Sequence, residues 1–102
     1  GIALMSSAAG TTLTKNDLVG NGSDGLFVDV IVQATAIVQN KAFGNGNSGL
    51  NVDIAAATLT KNVAVGNALD GIRTPFGAID GGGNTARDNV NDPQCTAPIH
   101  CP

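Results

Sequence analysis

Four copies of one phrase constrain this chain more than any other feature. Asparagine pairs five residues apart recur in "NDLVGN" (16–21), "NKAFGN" (40–45), "NVAVGN" (62–67) and "NTARDN" (84–89), their starts spaced 24, 22 and 22. A second marker keeps step: Gly1, Gly25, Gly49 and Gly71 open "GIALM", "GLFVDV", "GLNVDI" and "GIRTPF". Residues 1–92 are thus four copies of a unit of 22–24 residues, which is the pattern of a stacked repeat. The shorter copies lose two residues between the Gly phrase and the Asn pair, so one loop varies while the rest of the coil is fixed.

Inside each copy the apolar period is two. Leu26, Val28 and Val30 alternate with Phe27 and Asp29, and Leu50, Val52 and Ile54 alternate with Asn51 and Asp53, as in a short strand with one buried face. A second short strand precedes each Asn pair ("TLT" 12–14, "AIV" 36–38, "TLT" 58–60), with Leu13, Ile37 and Leu59 inward; Leu18, Ala42, Ala64 and Ala86 give a third inward column. No window keeps a helical period without a Gly or Asn interrupting it. Fourteen Gly, eleven Asn and eight Asp with no Glu favour turns over helices. The expected fold is all-β: a right-handed parallel β-helix (β-solenoid) of about four coils, with equivalent residues stacked in ladders about 4.8 Å apart. Six-residue left-handed and nine-residue calcium-binding periods do not fit. The fourth coil is expected to degrade, Gly81, Gly82 and Gly83 replacing its strand, which divides the chain into coils over 1–92 and a cap over 93–102.

The consensus "G-[LI]-x-V-x-[VI]…[TA]-[LI]-[TV]-x-N-x-A-x-G-N" resembles the repeats of secreted right-handed parallel β-helix proteins, the pectate-lyase-like class, from Gly1 to about Asn91. That class holds lyases, hydrolases, epimerases, adhesins and inert modules, so the resemblance implies a fold and a secreted setting but no single activity.

The asparagines read as two structural ladders at the coil corners, Asn16, Asn40, Asn62 and Asn84 in one and Asn21, Asn45, Asn67 and Asn89 in the other. An amide donates and accepts, so it serves both main-chain groups of a corner and the Asn one coil away. Asn tolerates the left-handed conformation that corners need, and Gly20, Gly44 and Gly66 supply positive φ before the second Asn. Asn21 opens an "NGS" glycosylation sequon but is expected to stay unmodified inside its ladder.

Binding, if present, belongs on the outward strip: Phe27, Asn51 and Arg73 in one column, Asp29 and Asp53 in the next. Stacked carboxylates about 5 Å apart could serve a retaining glycosidase, hold a weak calcium ion at Asp29 and Asp53, or simply be solvated beside Arg73. No catalytic residue and no cofactor is assigned. Phe27 and Ile31 are the apolar candidates for a partner contact. The "TLT" rows suggest ice binding, but Ala36 and Val38, then Asp80 and Gly82, interrupt the array.

Cys95 and Cys101 could form a disulfide, remain free thiols, or bind metal with His100, the last short of ligands. A disulfide would indicate an extracytoplasmic place. The net charge of −3 and five scattered basic residues argue against nucleic acid, and no apolar run is long enough to span a membrane. "GIALMSSAAG" lacks the pattern of a signal peptide. At the other end, Ile2, Leu4 and Leu13 would lie on an uncovered cross-section. The expectation is a secreted or surface non-catalytic module that self-associates there or continues into further coils. The rival is the C-terminal part of a polysaccharide-active enzyme.

Overall fold

A computed structural model describes residues 1–5, 10–29, 34–91 and 93–101. Among the described residues, twelve short strands wind through four coils: β1 (Ile2–Leu4), β2 (Thr11–Thr14) and β3 (Asp17–Val19); β4 (Leu26–Val28), β5 (Thr35–Val38) and β6 (Lys41–Phe43); β7 (Leu50–Val52), β8 (Ala57–Thr60) and β9 (Val63–Val65); β10 (Ile72–Arg73), β11 (Ile79–Gly82) and β12 (Thr85–Arg87). They form three four-stranded sheets, β1-β4-β7-β10, β2-β5-β8-β11 and β3-β6-β9-β12. Every pairing is parallel, Leu26 standing between Ile2 and Leu50, Ile37 between Leu13 and Leu59, and Ala42 between Leu18 and Ala64. This is a parallel β-solenoid, and the repeat register read from the sequence is the register of the sheets.

The period-two pattern sets the core. Leu26, Val28, Leu50, Val52, Ile37, Leu59 and Ile72 are fully buried, and Ile2, Leu4 and Leu13 pack on them from the first coil, only partly covered. Each buried Leu or Ile contributes about 1.5–3 kcal/mol, and same-on-same stacking removes it from water without a layer of helices. Val30, expected inward, and Ile31, expected outward, lie outside the described residues.

The recurring glycines are required by close approach between coils. A Cβ on Gly49 would lie 2.7 Å from the Gly71 carbonyl oxygen and 2.8 Å from Asn67 Nδ2, closer than side-chain carbons come to either, and Gly25 and Gly71 are as crowded. The corners differ from expectation in one respect. Positive φ before the second Asn falls on Gly20, Gly44 and Gly66 as read, with Asp88 in the fourth coil (φ 58°), but the first Asn is not left-handed. The residue ahead of it is: Lys15, Gln39, Lys61 and Gly83 (φ 56°, 57°, 55° and 73°). The asparagines keep ordinary backbone and give their amides to the ladder instead.

The fourth coil is also more regular than its glycines suggest. Gly81 and Gly82 do not replace a strand: β11 pairs with β8 through a register shift between Asp80 and Gly82. The irregularity sets Asp80 opposite Leu59 and Ile79 opposite Thr58, so Asp80 stands in the Leu13–Ile37–Leu59 column and not in the outward Thr row. Beyond it, the tail returns to the first sheet. Cys95 bridges Ile72 in parallel, the Ile72 N–H donates to Gln94 O (3.1 Å), and the Thr96 N–H donates to Ile72 O (2.9 Å). Cys95 and Ile99 are buried in the core, and Cys95 is disulfide-bonded to Cys101. The expected division at 92–93 falls on Asp92, outside the described residues.

Candidate functional site

The outward strip forms a hydrogen-bonded brace. Ala3, Phe27, Asn51 and Arg73 stand in one column across β1, β4, β7 and β10. Asp24 Oδ1 accepts the Ser48 N–H (3.0 Å) and its Oδ2 accepts Asn51 Nδ2 (3.3 Å); Asn51 Oδ1 accepts an Arg73 guanidinium N–H (3.1 Å). The same guanidinium lies 3.4 Å from Asp53 and 3.9 Å from Asp70. A cation beside Asp53 would compete with Arg73 for its place, and among the described residues no group of three or more His, Cys, Asp or Glu is arranged to hold a metal ion. Asp29 is half-buried, one coil from Asp53 at the equivalent place, each donating its main-chain N–H to a carbonyl of the preceding coil (Leu4 O and Val28 O). A half-exposed ion pair of this kind contributes about 0–1 kcal/mol, so the brace orients the strip more than it stabilises it. Phe27 is half-buried; among the described residues the most exposed large apolar side chains are Val90, Val19, Phe76 and Ile79.

The two amide ladders are continuous. In the first, the N–H and Nδ2 of Asn16 both donate to Asn40 Oδ1 (3.0 and 2.9 Å), those of Asn40 to Asn62 Oδ1 (3.0 and 3.1 Å), and those of Asn62 to Asn84 Oδ1 (both 3.0 Å). In the second, Asn21, Asn45 and Asn67 donate in the same way to Asn45, Asn67 and Asn89. The remaining Nδ2 hydrogen reaches back to a carbonyl of the coil before: Asn40 to Leu13 O (2.9 Å), Asn45 to Leu18 O (2.8 Å), Asn62 to Ile37 O (2.9 Å) and Asn67 to Ala42 O (3.1 Å). The ladders therefore have a direction: each main-chain N–H and one Nδ2 hydrogen face the next coil, and each Oδ1 faces the previous one. Asn21 Nδ2 lies in its ladder, occupied at the atom a glycan would need.

At the last coil both ladders meet a terminal acceptor that is not Asn. Gln94 Oε1 accepts the N–H and Nδ2 of Asn89 (both 2.9 Å), and Gln94 Nε2 returns to Asn89 O and Asn91 O. Asp80 Oδ1 accepts Asn84 Nδ2 (3.0 Å) and the Gly82 N–H (2.9 Å), while Oδ2 accepts the His100 N–H (3.0 Å). The main-chain N–H of His100, then that of Gly82, hold the Asp80 carboxyl below its ordinary value of 3.8, and the Asn84 amide adds to them. Both groups are missed from the sequence: the repeat puts Asp80 in the outward Thr row, and the one signal for Gln94 is a Gln following the repeat.

At the first coil the same ladders start without a preceding Asn. Asn16 and Asn21 donate onward, the Gly1 ammonium donates to Asn21 Oδ1, and among the described residues nothing donates to Asn16 Oδ1. Open depressions of about 470 and 320 Å³ lie on this end, meeting at Gly1, Ile2 and Asn21.

Comparison with protein-family models, curated proteins and solved structures finds no match to this chain. The solenoid is shown by its own geometry.

Proposed function

We propose that this chain is a non-catalytic structural module: the rigid closing segment of a β-solenoid that works as a scaffold outside the reducing cytoplasm. One observation carries the reading. The distinctive polar groups bind coil to coil: eight Asn amides in two ladders, Asp80 and Gln94 at their ends, and Asp24, Asn51, Arg73 and Asp53 across the outer face. A buried polar network satisfied by coil-to-coil bonds, as at Asn40, Asn45, Asn62 and Asn67, favours one arrangement and resists local opening. The Cys95–Cys101 disulfide is compatible with an extracytoplasmic place, as is the resemblance to secreted right-handed β-helices. No described helix is long and apolar enough to cross a membrane.

The rival reading, a segment of a polysaccharide-active enzyme, uses the same outer face. Incubation with polygalacturonate, xylan and other plant and microbial polysaccharides, followed by size analysis of the products, separates the two. The scaffold reading expects no chain shortening. Shortening that disappears in Asp53→Asn or Arg73→Ala would overturn it.

A further inference from the structure

We infer that the first coil is a docking face for one kind of partner: a solenoid coil running in the same direction, with amide donors over Asn16 and Asn21. The inference deepens the scaffold reading by assigning that end its occupant. All three strands of the first coil, β1, β2 and β3, are edge strands, each paired on one side only. With the Ile2 N–H on Gly25 O (2.9 Å), alternation along a parallel ladder turns the Ala3 N–H toward the open edge. Ile2, Leu4 and Leu13 end their core columns only partly covered. Asn16 Oδ1 faces the open side, where every later coil receives two donors from the coil before it, and the Gly1 ammonium already occupies the matching acceptor on Asn21.

Ladder direction selects the occupant. An approaching coil must bring an N–H and an Nδ2–H to each acceptor, and a carbonyl three residues before each Asn, as Leu13 and Leu18 offer to Asn40 and Asn45. The last coil of a second copy does not offer this full set, because Asp80 already takes the Asn84 Nδ2 and Gln94 takes both donors of Asn89. A second copy meeting first coil to first coil would reverse the strand direction used in every pairing of the molecule. A parallel coil of the same repeat meets all these requirements.

The test fuses a copy of residues 49–70 ahead of Gly1 in the full chain, so that Asp70 of the copy leads into Gly1 as Asp70 leads into Gly71. The expected result is a higher denaturant midpoint and amide exchange at Ala3 slowed by about tenfold or more. Replacing the two ladder asparagines of the copy (N62A, N67A) should remove most of that gain. An unchanged midpoint with unchanged Ala3 exchange would overturn the inference, as would an equal gain from the copy lacking its asparagines. Sedimentation of the parent chain supplies a further arm, in which a discrete dimer abolished by the added coil would make a second copy the occupant and also overturn it. The scaffold reading fails separately, since polysaccharide cleavage would sink it without altering the gain from the added coil.

Discussion

The two ends of this solenoid are built from the same repeat yet finish differently. At the last coil the column Leu13–Ile37–Leu59 ends on Asp80, Thr74 donates its hydroxyl to Thr96 O, and the two ladders close on Asp80 and Gln94. At the first coil the columns end on Ile2, Leu4 and Leu13, and the ladders end on Asn16 Oδ1, which among the described residues has no donor, and Asn21 Oδ1, which has only the Gly1 ammonium. A coil stack propagates as long as its edge offers unpaired strand and apolar surface. The last coil keeps strand edges at β11 and β12, but Cys95 and Ile99 cover part of its core and one column ends on Asp80; the first coil keeps both edges and apolar column ends. The difference lies in a few side chains rather than in the fold, because β10, β11 and β12 pair as parallel strands like the rest.

Graded substitution along one ladder sharpens that contrast. Asn67→Ala should have the largest effect: it strands the Asn45 N–H and Ala42 O in the core, and with about 1–3 kcal/mol for each orphaned group a loss of roughly 3 kcal/mol or more should appear in denaturant titration. Gln94→Ala should cost less, about 1–2 kcal/mol, because Asn89 is nearer solvent, and faster exchange should be confined to the fourth coil. Asp80 should give an acid-side effect. Its carboxyl titrates lower in the folded chain than in the unfolded one, so its stabilisation is fully present above the ordinary value of 3.8 and is lost as pH falls through the lowered folded value. Asp80→Asn should flatten that acid limb in pH-dependent melting. The smallest effect should be at Asn16→Ala, within about 0.5 kcal/mol, since its acceptor faces water. A large loss there would show that the first coil is as closed as the last.

The repeat, the strand register, both ladders and the inward columns were legible in the sequence because a stacked fold repeats its contacts at one fixed spacing. Gly25 and Gly49 recur because each coil's backbone excludes a Cβ, and Asn40 and Asn62 recur because each corner needs the same amide. The terminators were not legible. Asp80 moves into an inward column through a β-bulge that the repeat does not encode, and Gln94 acts once, from a segment outside the repeat. The left-handed Lys15, Gln39 and Lys61 are not the Gly, Asn or Asp that favour this conformation, so nothing in the pattern marks them, and nothing in the structure explains why these side chains occupy a conformation that Gly83 takes more easily. The outward strip was half legible: its columns follow from alternation, while the reach of Arg73 to Asn51, Asp53 and Asp70 depends on side-chain directions that periodicity does not give.

The central claim, one closed end and one open end, is tested most directly by residue-resolved amide hydrogen exchange on the native chain. The useful comparison pairs equivalent donors: Asn21, bonded to Asn45 Oδ1, against Asn89, bonded to Gln94 Oε1; and Ile2, bonded to Gly25 O, against Ile72, bonded to Gln94 O. The account predicts slower exchange at Asn89 and Ile72 than at Asn21 and Ile2, with Asn45 and Asn67 slowest of all. Exchange at Asn21 and Ile2 as slow as at Asn89 and Ile72 would contradict it.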